Sequence, residues 1–145
     1  MRTIERQRIA RQASAFFMMM DAAMVGIAAD VAAARKIAEE IEPDNKSSPP
    51  AYWARTRIKK AGFAELRSAC VRYGGREVTG KFLDIDREID DFAWRVSSVQ
   101  QRISNIPLPV GEHNGLHEKL DRIELQAKDL RESCIALLET TDRLE

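Results

Sequence analysis

Residues 75–81 read Gly-Arg-Glu-Val-Thr-Gly-Lys, and this spacing of two glycines and a lysine is typical of a loop that binds nucleotide phosphates. In such a loop a strand precedes the first glycine, and a serine or threonine after the lysine binds magnesium. Phe82 occupies that position here, and the stretch before Gly75 is predicted to be helical. We therefore interpret residues 74–80 as a turn between two helices, with Thr79 as the N-cap of the helix that follows the turn.

The stretch that follows is rich in carboxylates, which are the ligands that hard divalent cations prefer. Three of them fall on one helix face by their spacing, and such a set suits a metal-dependent enzyme. Acidic residues in the first turns of a helix also interact favourably with its dipole and keep an exposed face hydrated. We adopt this second interpretation, predict no metal and no cofactor, and keep an enzyme with a carboxylate-based metal site as an alternative. The residues are Asp84, Asp86, Glu88, Asp90 and Asp91, of which Asp84, Glu88 and Asp91 share the face.

The histidines and cysteines do not form a recognisable catalytic set. His113 and His117 are four residues apart, but the glycine between them, Gly115, predicts that His113 belongs to a surface loop. Cys70 and Cys134 fall at apolar helical positions with no partner spacing, so we expect buried, reduced thiols and a cytoplasmic protein. With no nucleophile beside a base, we predict that the chain is not an enzyme.

The most informative polar stretch is residues 52–76, where basic and aromatic side chains occur together. Such side chains bind phosphates and unstacked bases, and they equally suit an acidic protein surface. Residues 51–81 contain eight basic and two acidic side chains, whereas residues 82–145 contain eight and fourteen, so internal pairing is a further interpretation. The residues predicted to bind a protein or nucleic acid are Tyr52, Trp53, Arg55, Arg57, Lys59, Lys60, Arg67, Arg72 and Arg76.

Trp94 joins this set for a different reason. It falls off the apolar repeat of its segment, so we predict that it points outward. A tryptophan at such a position packs against another helix of the chain or anchors a partner, since interface cores favour tryptophan.

Two long segments must position these residues, and both carry apolar side chains in alternating steps of three and four. This heptad pattern predicts an antiparallel, coiled-coil-like hairpin of helices over about residues 80–105 and 115–144, joined by a loop rich in proline and glycine. The first seam consists of Phe82, Ile85, Ile89, Phe92, Val96, Val99 and Ile103, and the second of Leu116, Leu120, Ile123, Ala127, Leu130, Cys134, Leu137, Thr141 and Leu144.

Residues 3–41 predict one long helix with two apolar columns on different sides. Such a helix is buried on more than one side or meets lipid. Because Asp21 and Asp30 would each cost about 2.5–3.5 kcal/mol inside a bilayer, we do not favour a membrane span. We predict a central helix whose small column lets another helix approach closely, as in a homo-oligomer. The large column is Phe17, Met20, Met24, Ile27, Val31, Ala34, Ala38 and Ile41, and the small column is Met19, Ala22, Gly26, Ala29 and Ala33.

A second helix is predicted over residues 49–73, after a linker at residues 42–50 and before the glycines at 74 and 75. The 145 residues, with a formal net charge of zero, suit a single all-α domain. We predict a four-helix bundle with a long N-terminal helix and a C-terminal antiparallel coiled-coil-like hairpin.

For function, we expect a non-enzymatic helical protein-interaction module, such as an adaptor, inhibitor or assembly subunit, that self-associates through its first helix. The first alternative is a nucleic-acid-binding accessory protein that uses the basic helix 52–76. The second is the carboxylate-based metal enzyme described above. The chain alone does not indicate the partner's identity.

Overall fold

The computed structural model describes residues 2–41, 53, 55–100 and 110–142, and the regular elements in these ranges are all helical. The predicted all-α class is therefore confirmed. The helices are α1 (Arg2–Ile41), α2 (Phe63–Ala69), α3 (Gly75–Gln100) and α4 (Val110–Asp142), and a π-helical turn, Cys70–Gly74, joins α2 to α3.

The predicted four-helix bundle is not confirmed, because only three of the described helices are long. α1 and α4 are antiparallel neighbours, since Arg35 binds Asp121 and Glu124 near one end while Arg131 lies 2.8 Å from Asp21 nearer the other. α4 also packs against α3, whereas α1 and α3 are not neighbours among the described residues. α4 is therefore the middle helix.

The predicted hairpin of α3 and α4 is observed. Lys119 of α4 binds Asp91 at 2.8 Å, and Lys81 of α3 binds Asp129 at 3.1 Å, which fixes the antiparallel order. The apolar seams of both helices are buried because a heptad repeat keeps the same stripe facing the neighbouring helix. The buried seam residues are Phe82, Ile85, Ile89, Phe92 and Val96 on α3, and Leu116, Leu120, Ile123, Ala127, Leu130, Cys134 and Thr141 on α4, while Leu137 is partly buried.

The large column of α1 completes this core, as predicted. It is buried from Phe17 to Ala38. The chain from residue 55 to residue 74 runs back along α1, with the backbone N–H of Lys59 donating to Asp30 at 2.8 Å and the hydroxyl of Tyr73 donating to Gln12 at 3.0 Å.

The prediction of one helix over residues 49–73 is wrong for its middle part. Residues 56–60 are not helical, and α2 begins only after Gly62, which has a φ of 76°. Thr56 turns the chain, because its backbone N–H and its hydroxyl both donate to the carbonyl of Trp53, at 3.0 and 2.6 Å. Residues 42–52 and 54, including the predicted linker, lie outside the described ranges.

The predicted loop at residues 74–80 is also wrong. α3 already begins at Gly75, whose φ of 66° lets the chain leave the π-helical turn and enter a new helix directly. Val78 is fully buried and extends the apolar seam by one turn. Thr79 is therefore inside a helix, where its hydroxyl donates to the carbonyl of Cys70 at 3.3 Å. The residues whose spacing is typical of a phosphate-binding loop therefore belong to a helix and not to a loop.

α4 begins at Val110 rather than at residue 115, so His113 is helical and not in a loop. The ring of His117 packs edge-on against Trp53, with centroids 5.2 Å apart. Burial of this part of α4 against its neighbours outweighs the roughly 1 kcal/mol that Gly115 costs a helix interior. The outer ends predicted for both hairpin helices, up to residues 105 and 144, lie beyond the described ranges.

The turn between α2 and α3 gives a first prediction. A Cβ on Gly74 would lie 2.7 Å from Oγ1 of Thr79 and 3.4 Å from Cβ of Cys70. We expect Gly74→Ala to lower the free energy of unfolding by about 1–3 kcal/mol, because an inserted methyl group forces its neighbours apart. In a Thr79→Ala background the same substitution should cost less, since the nearest atom is gone. Urea unfolding of the four proteins measures both costs, and equal costs would contradict the proposed clash.

Candidate interaction surface on the first helix

The aromatic residues predicted to contact a ligand from the basic stretch do not form a surface. Trp53 is fully buried, with its ring 6.3 Å from that of Phe92, so its side chain is not available to a partner. Tyr52 lies outside the described residues. Trp94 is 68% exposed on α3, which confirms its predicted outward position, and its role as an anchor stays a prediction.

Two of the predicted basic residues pair with the acidic run of α3, and the side chain of Arg67 stays half exposed while doing so. Lys60 lies 3.0 Å from Asp86 and 2.6 Å from Asp90, and Arg67 lies 2.6 Å from Asp86. Burial of Asp86 opposes its ionisation, but the hydrogen bonds from Lys60 and Arg67 outweigh that effect, so its pKa lies below the ordinary value. For this part of the stretch, the interpretation as internal pairing agrees with the contacts.

The other basic side chains of the stretch are exposed and make no ion pair with the described residues, but they are far apart. Lys59 lies beside Asp30, and Tyr73 lies beside Gln12, eighteen residues earlier on α1. The two ends of the stretch are therefore about 27 Å apart along α1. Because the stretch is not one helix and its middle is neutralised, it does not present a continuous basic surface. The exposed residues are Arg55, Arg57 and Lys59 at one end and Arg72 and Arg76 at the other.

The acidic run of α3 is held by basic side chains. Each of its carboxylates lies within ion-pair distance of a lysine or arginine, and no group of three or more potential metal ligands occurs within the ranges that the structure describes. The proposed enzymatic alternative therefore has no preformed ligand set in this part of the chain. The pairs are Asp84 with Arg87, Asp86 with Lys60 and Arg67, Glu88 with Lys119 and Arg122, Asp90 with Lys60, and Asp91 with Lys119 and Arg95.

Both cysteines are buried and unpaired by a disulfide, as predicted. Burial raises the pKa of Cys70, and burial together with the nearby charge of Asp21 raises the pKa of Cys134 to about 12. Because the thiolate is the reactive form, burial and the raised pKa both disfavour reaction of these thiols near neutral pH.

An exposed surface without polar side chains lies on α1, on the side that faces away from α4 and from the segment 55–74. Each exposed residue between positions 15 and 33 is apolar, so a strip about 27 Å long contains no hydrogen-bonding side chain. Met18 and Met19 are 62% and 54% exposed. We call this strip the outer face, and it consists of Ala15, Met18, Met19, Ala22, Val25, Gly26, Ala29, Ala32 and Ala33.

The only charged side chains in this part of α1 are turned toward the rest of the protein. Asp21 binds Arg131 of α4 at 2.8 Å, and Asp30 accepts the backbone N–H of Lys59 at 2.8 Å. Both carboxylates flank the outer face instead of interrupting it. Asp21 and Asp30 therefore find their partners within the protein, and the outer face is left apolar.

The outer face continues onto the neighbouring helix. Arg131 contacts Asp21, and one turn further along each antiparallel helix lie Ile135 and Met18, both exposed. Together they widen the apolar strip beyond a single helix. A soluble protein seldom leaves a continuous apolar patch of this kind uncovered.

By length and composition α1 is also suited to cross a membrane over Thr3–Ala38, although only 33% of its most apolar window is buried within the chain. A mostly buried core helix of a soluble protein and a signal sequence near the N-terminus pass the same test, so this property alone does not separate lipid from protein as the neighbour of the outer face. The low buried share agrees with the exposure of the strip.

Sequence reasoning identified the small column of α1 but placed the main binding site elsewhere. The sequence could have indicated this surface, because that side of the helix carries no polar residue between Ala15 and Ala33. What the sequence did not show is which side of α1 the other helices leave uncovered.

Comparison with known proteins gives no match to a protein-family model, to a curated protein or to a solved structure. The geometry of the chain itself must therefore support any functional conclusion.

Proposed function

We propose that this protein is a non-enzymatic helical interaction module that self-associates by burying the outer face of α1. The observation that carries the proposal is the nine-residue exposed strip with no polar side chain. Burial of apolar surface is the dominant driving force of protein association, at roughly 25 cal/mol per Å². A rigid helix, held by α4 along its opposite side, presents the strip without a cost of ordering it.

Self-association is favoured over a role for the basic stretch, because the strip is continuous and the basic residues are not. Trp94 on α3 lies on a helix that does not neighbour α1, so it offers a separate contact for a different protein partner. An adaptor or assembly subunit would use both surfaces together.

A charge placed on the outer face tests the proposal. We expect the purified chain to sediment above its monomer mass and Val25→Lys to return it to a monomer, because an unpaired lysine in an apolar interface is costly to desolvate. Leu125→Lys is the matched control, since Leu125 is 69% exposed on α4 and lies outside the strip. Sedimentation velocity with far-UV circular dichroism measures mass and folding. A wild-type monomer, or a Val25→Lys protein that keeps the full mass, would contradict self-association through α1.

Nucleic-acid binding is the second candidate, and the observation that favours it is the exposure of the arginines at the two ends of the basic stretch, which make no ion pair with the described residues. Two separate clusters suit two contacts with a phosphate backbone rather than one groove. Fluorescence anisotropy with single- and double-stranded DNA and RNA at low salt tests this candidate. Binding that is absent, or unchanged when Arg55 and Arg57 become glutamate, would remove it.

A further inference from the structure

Within the part of the chain that the structure describes, nothing around Gly26 requires a glycine. It lies within α1 without a positive φ, and a Cβ added to it would meet no atom within 4 Å. A glycine in a helix interior costs about 0.5–1 kcal/mol relative to alanine. A glycine at an exposed position of this kind is explained when another backbone approaches it closely from outside.

Eight of the nine residues of the outer face form four pairs about the peptide bond between Val25 and Gly26, and Ala15 has no counterpart in the face. Met18 and Ala33 lie at equal distances along the sequence from that bond, one before it and one after it. Met19 and Ala32 form a second pair of the same kind. Ala22 and Ala29 form a further, equally sized pair, and Val25 itself is matched with Gly26. In each unequal pair the large residue comes first and the small one second.

We propose that the outer face binds the outer face of a second copy of this chain, antiparallel, with a two-fold axis at the Val25–Gly26 bond. This inference rests on the proposed function. In a two-fold interface, residue i contacts residue j of the other copy and j contacts i. The arrangement places Met18 against the partner's Ala33, Met19 against the partner's Ala32, and Val25 against the partner's Gly26. Each large side chain then fills the space above a small one.

The charges at the ends of α1 favour the antiparallel direction. Arg6, Arg8 and Arg11 are exposed and make no ion pair with the described residues. A parallel pair would place these arginines beside the same arginines of the second copy. An antiparallel pair with this axis places Arg11 beside position 40 of the second copy, a glutamate in the last turn of α1, and it also opposes the two helix dipoles.

The composition of the strip favours a protein neighbour over lipid. Six of its nine residues are alanine or glycine. Helices that lie in a membrane surface present bulky leucine, phenylalanine or tryptophan on the apolar face, because small side chains bury little area in the acyl region. Small residues instead allow two helix backbones to pack closely.

Engineered cysteines distinguish the direction and the register. Ala22 and Ala29 are both exposed on the strip and lie two turns apart. In the proposed dimer, Ala22→Cys of one copy faces Ala29→Cys of the other. Two copies of the same variant would hold their cysteines about 10 Å apart along the axis, which exceeds the Cα separation that a disulfide allows. The buried, unreactive Cys70 and Cys134 stay silent in the assay.

We expect air or copper-phenanthroline oxidation to cross-link a mixture of Ala22→Cys and Ala29→Cys full-length proteins several times more than either variant alone. A non-reducing gel with mass spectrometry of the linked peptides measures this. Efficient cross-linking of Ala22→Cys with itself would show a parallel pair and overturn the inference. A dimer that Val25→Lys disrupts, but that the mixture does not cross-link, would overturn the register and leave the proposed function intact.

Gly26→Ala provides a second readout. Because a Cβ meets no atom of its own chain, we expect the substitution to raise Tm by about 2–4 °C in dilute protein. It should also weaken dimerisation by about tenfold, since the added methyl separates the two backbones. An unchanged dimer constant would overturn the close contact at Gly26. A monomeric protein that floats with phosphatidylcholine–phosphatidylglycerol vesicles would assign the strip to lipid instead.

Discussion

Replacing Trp53 with alanine is expected to lower the free energy of unfolding by about 3–5 kcal/mol. The indole is fully buried, between the rings of Phe92 on α3 and His117 on α4. Its removal loses the transfer free energy of a large apolar side chain and leaves a cavity where the segment before α2 meets the hairpin. Urea unfolding followed by far-UV circular dichroism measures the loss.

Trp94→Ala is the matched control, because the same residue type is 68% exposed on α3. Its free energy of unfolding should change by no more than about 0.5 kcal/mol. Native fluorescence gives a second check. The protein that keeps only Trp53 should emit at shorter wavelength than the protein that keeps only Trp94. Equal losses of stability from the two substitutions would contradict the burial of Trp53.

Replacing Asp86 with asparagine is expected to lower the free energy of unfolding by about 2 kcal/mol at neutral pH. The carboxylate is largely buried and accepts hydrogen bonds from both Lys60 and Arg67, at 3.0 and 2.6 Å. Asparagine keeps the shape but removes the charge that both cations face. The loss is smaller than for a fully buried pair, because the Arg67 side chain is half exposed. Asp84→Asn, which affects only the exposed pair with Arg87, should cost about 0.5 kcal/mol or less.

The pH dependence of this effect has a definite sign. The pKa of Asp86 is lower in the folded protein than in the unfolded chain, so the unfolded chain binds the proton more readily. The contribution of the Asp86 carboxylate to stability is complete well above the ordinary aspartate pKa of about 3.9. This contribution is lost as the pH falls through the folded-state pKa. The difference between wild type and Asp86→Asn should therefore shrink on acidification below about pH 5. A difference that grows on acidification would contradict the assignment.

The hairpin could be predicted because its information is local. A heptad repeat specifies both the helix and the side that it buries, and the residues from Phe82 to Val96 follow it without interruption. The large column of α1 was predictable for the same reason. In each case the period of the apolar residues determined the packing.

The start of α2 and of α3 could not be predicted from propensity. Residues 54–61 are mostly good helix formers, yet the chain turns at Thr56 to bury Trp53 and breaks again at Gly62. Gly75 was predicted to end a helix, and it does so while also beginning the next one. Tertiary burial and two glycines with positive φ overrode the local preference.

Only part of the candidate site could be predicted from the sequence. Its residue types were visible in the small column of α1, but exposure depends on long-range packing, which a single sequence does not specify. The same limit applies to Lys60 and Arg67, whose partner Asp86 lies 26 and 19 residues further along the chain. Some of the basic residues that the sequence assigns to a binding surface therefore form ion pairs within the protein.

The position of α4 between α1 and α3 has a consequence for synthesis of the chain. α1 leaves the ribosome before the other described helices, yet its partner residues on α4 follow 86 to 110 positions later, as the contacts of Arg35 and Asp21 show. Until α4 emerges, the large column of α1 lacks the long helix that packs against it, so the nascent chain exposes part of this column in addition to the outer face. α3 and α4, being sequential, pair through local contacts and are expected to form first. On a polysome, neighbouring nascent α1 helices would meet while unprotected, which makes the translation interval between α1 and α4 the stage most sensitive to aggregation or chaperone supply.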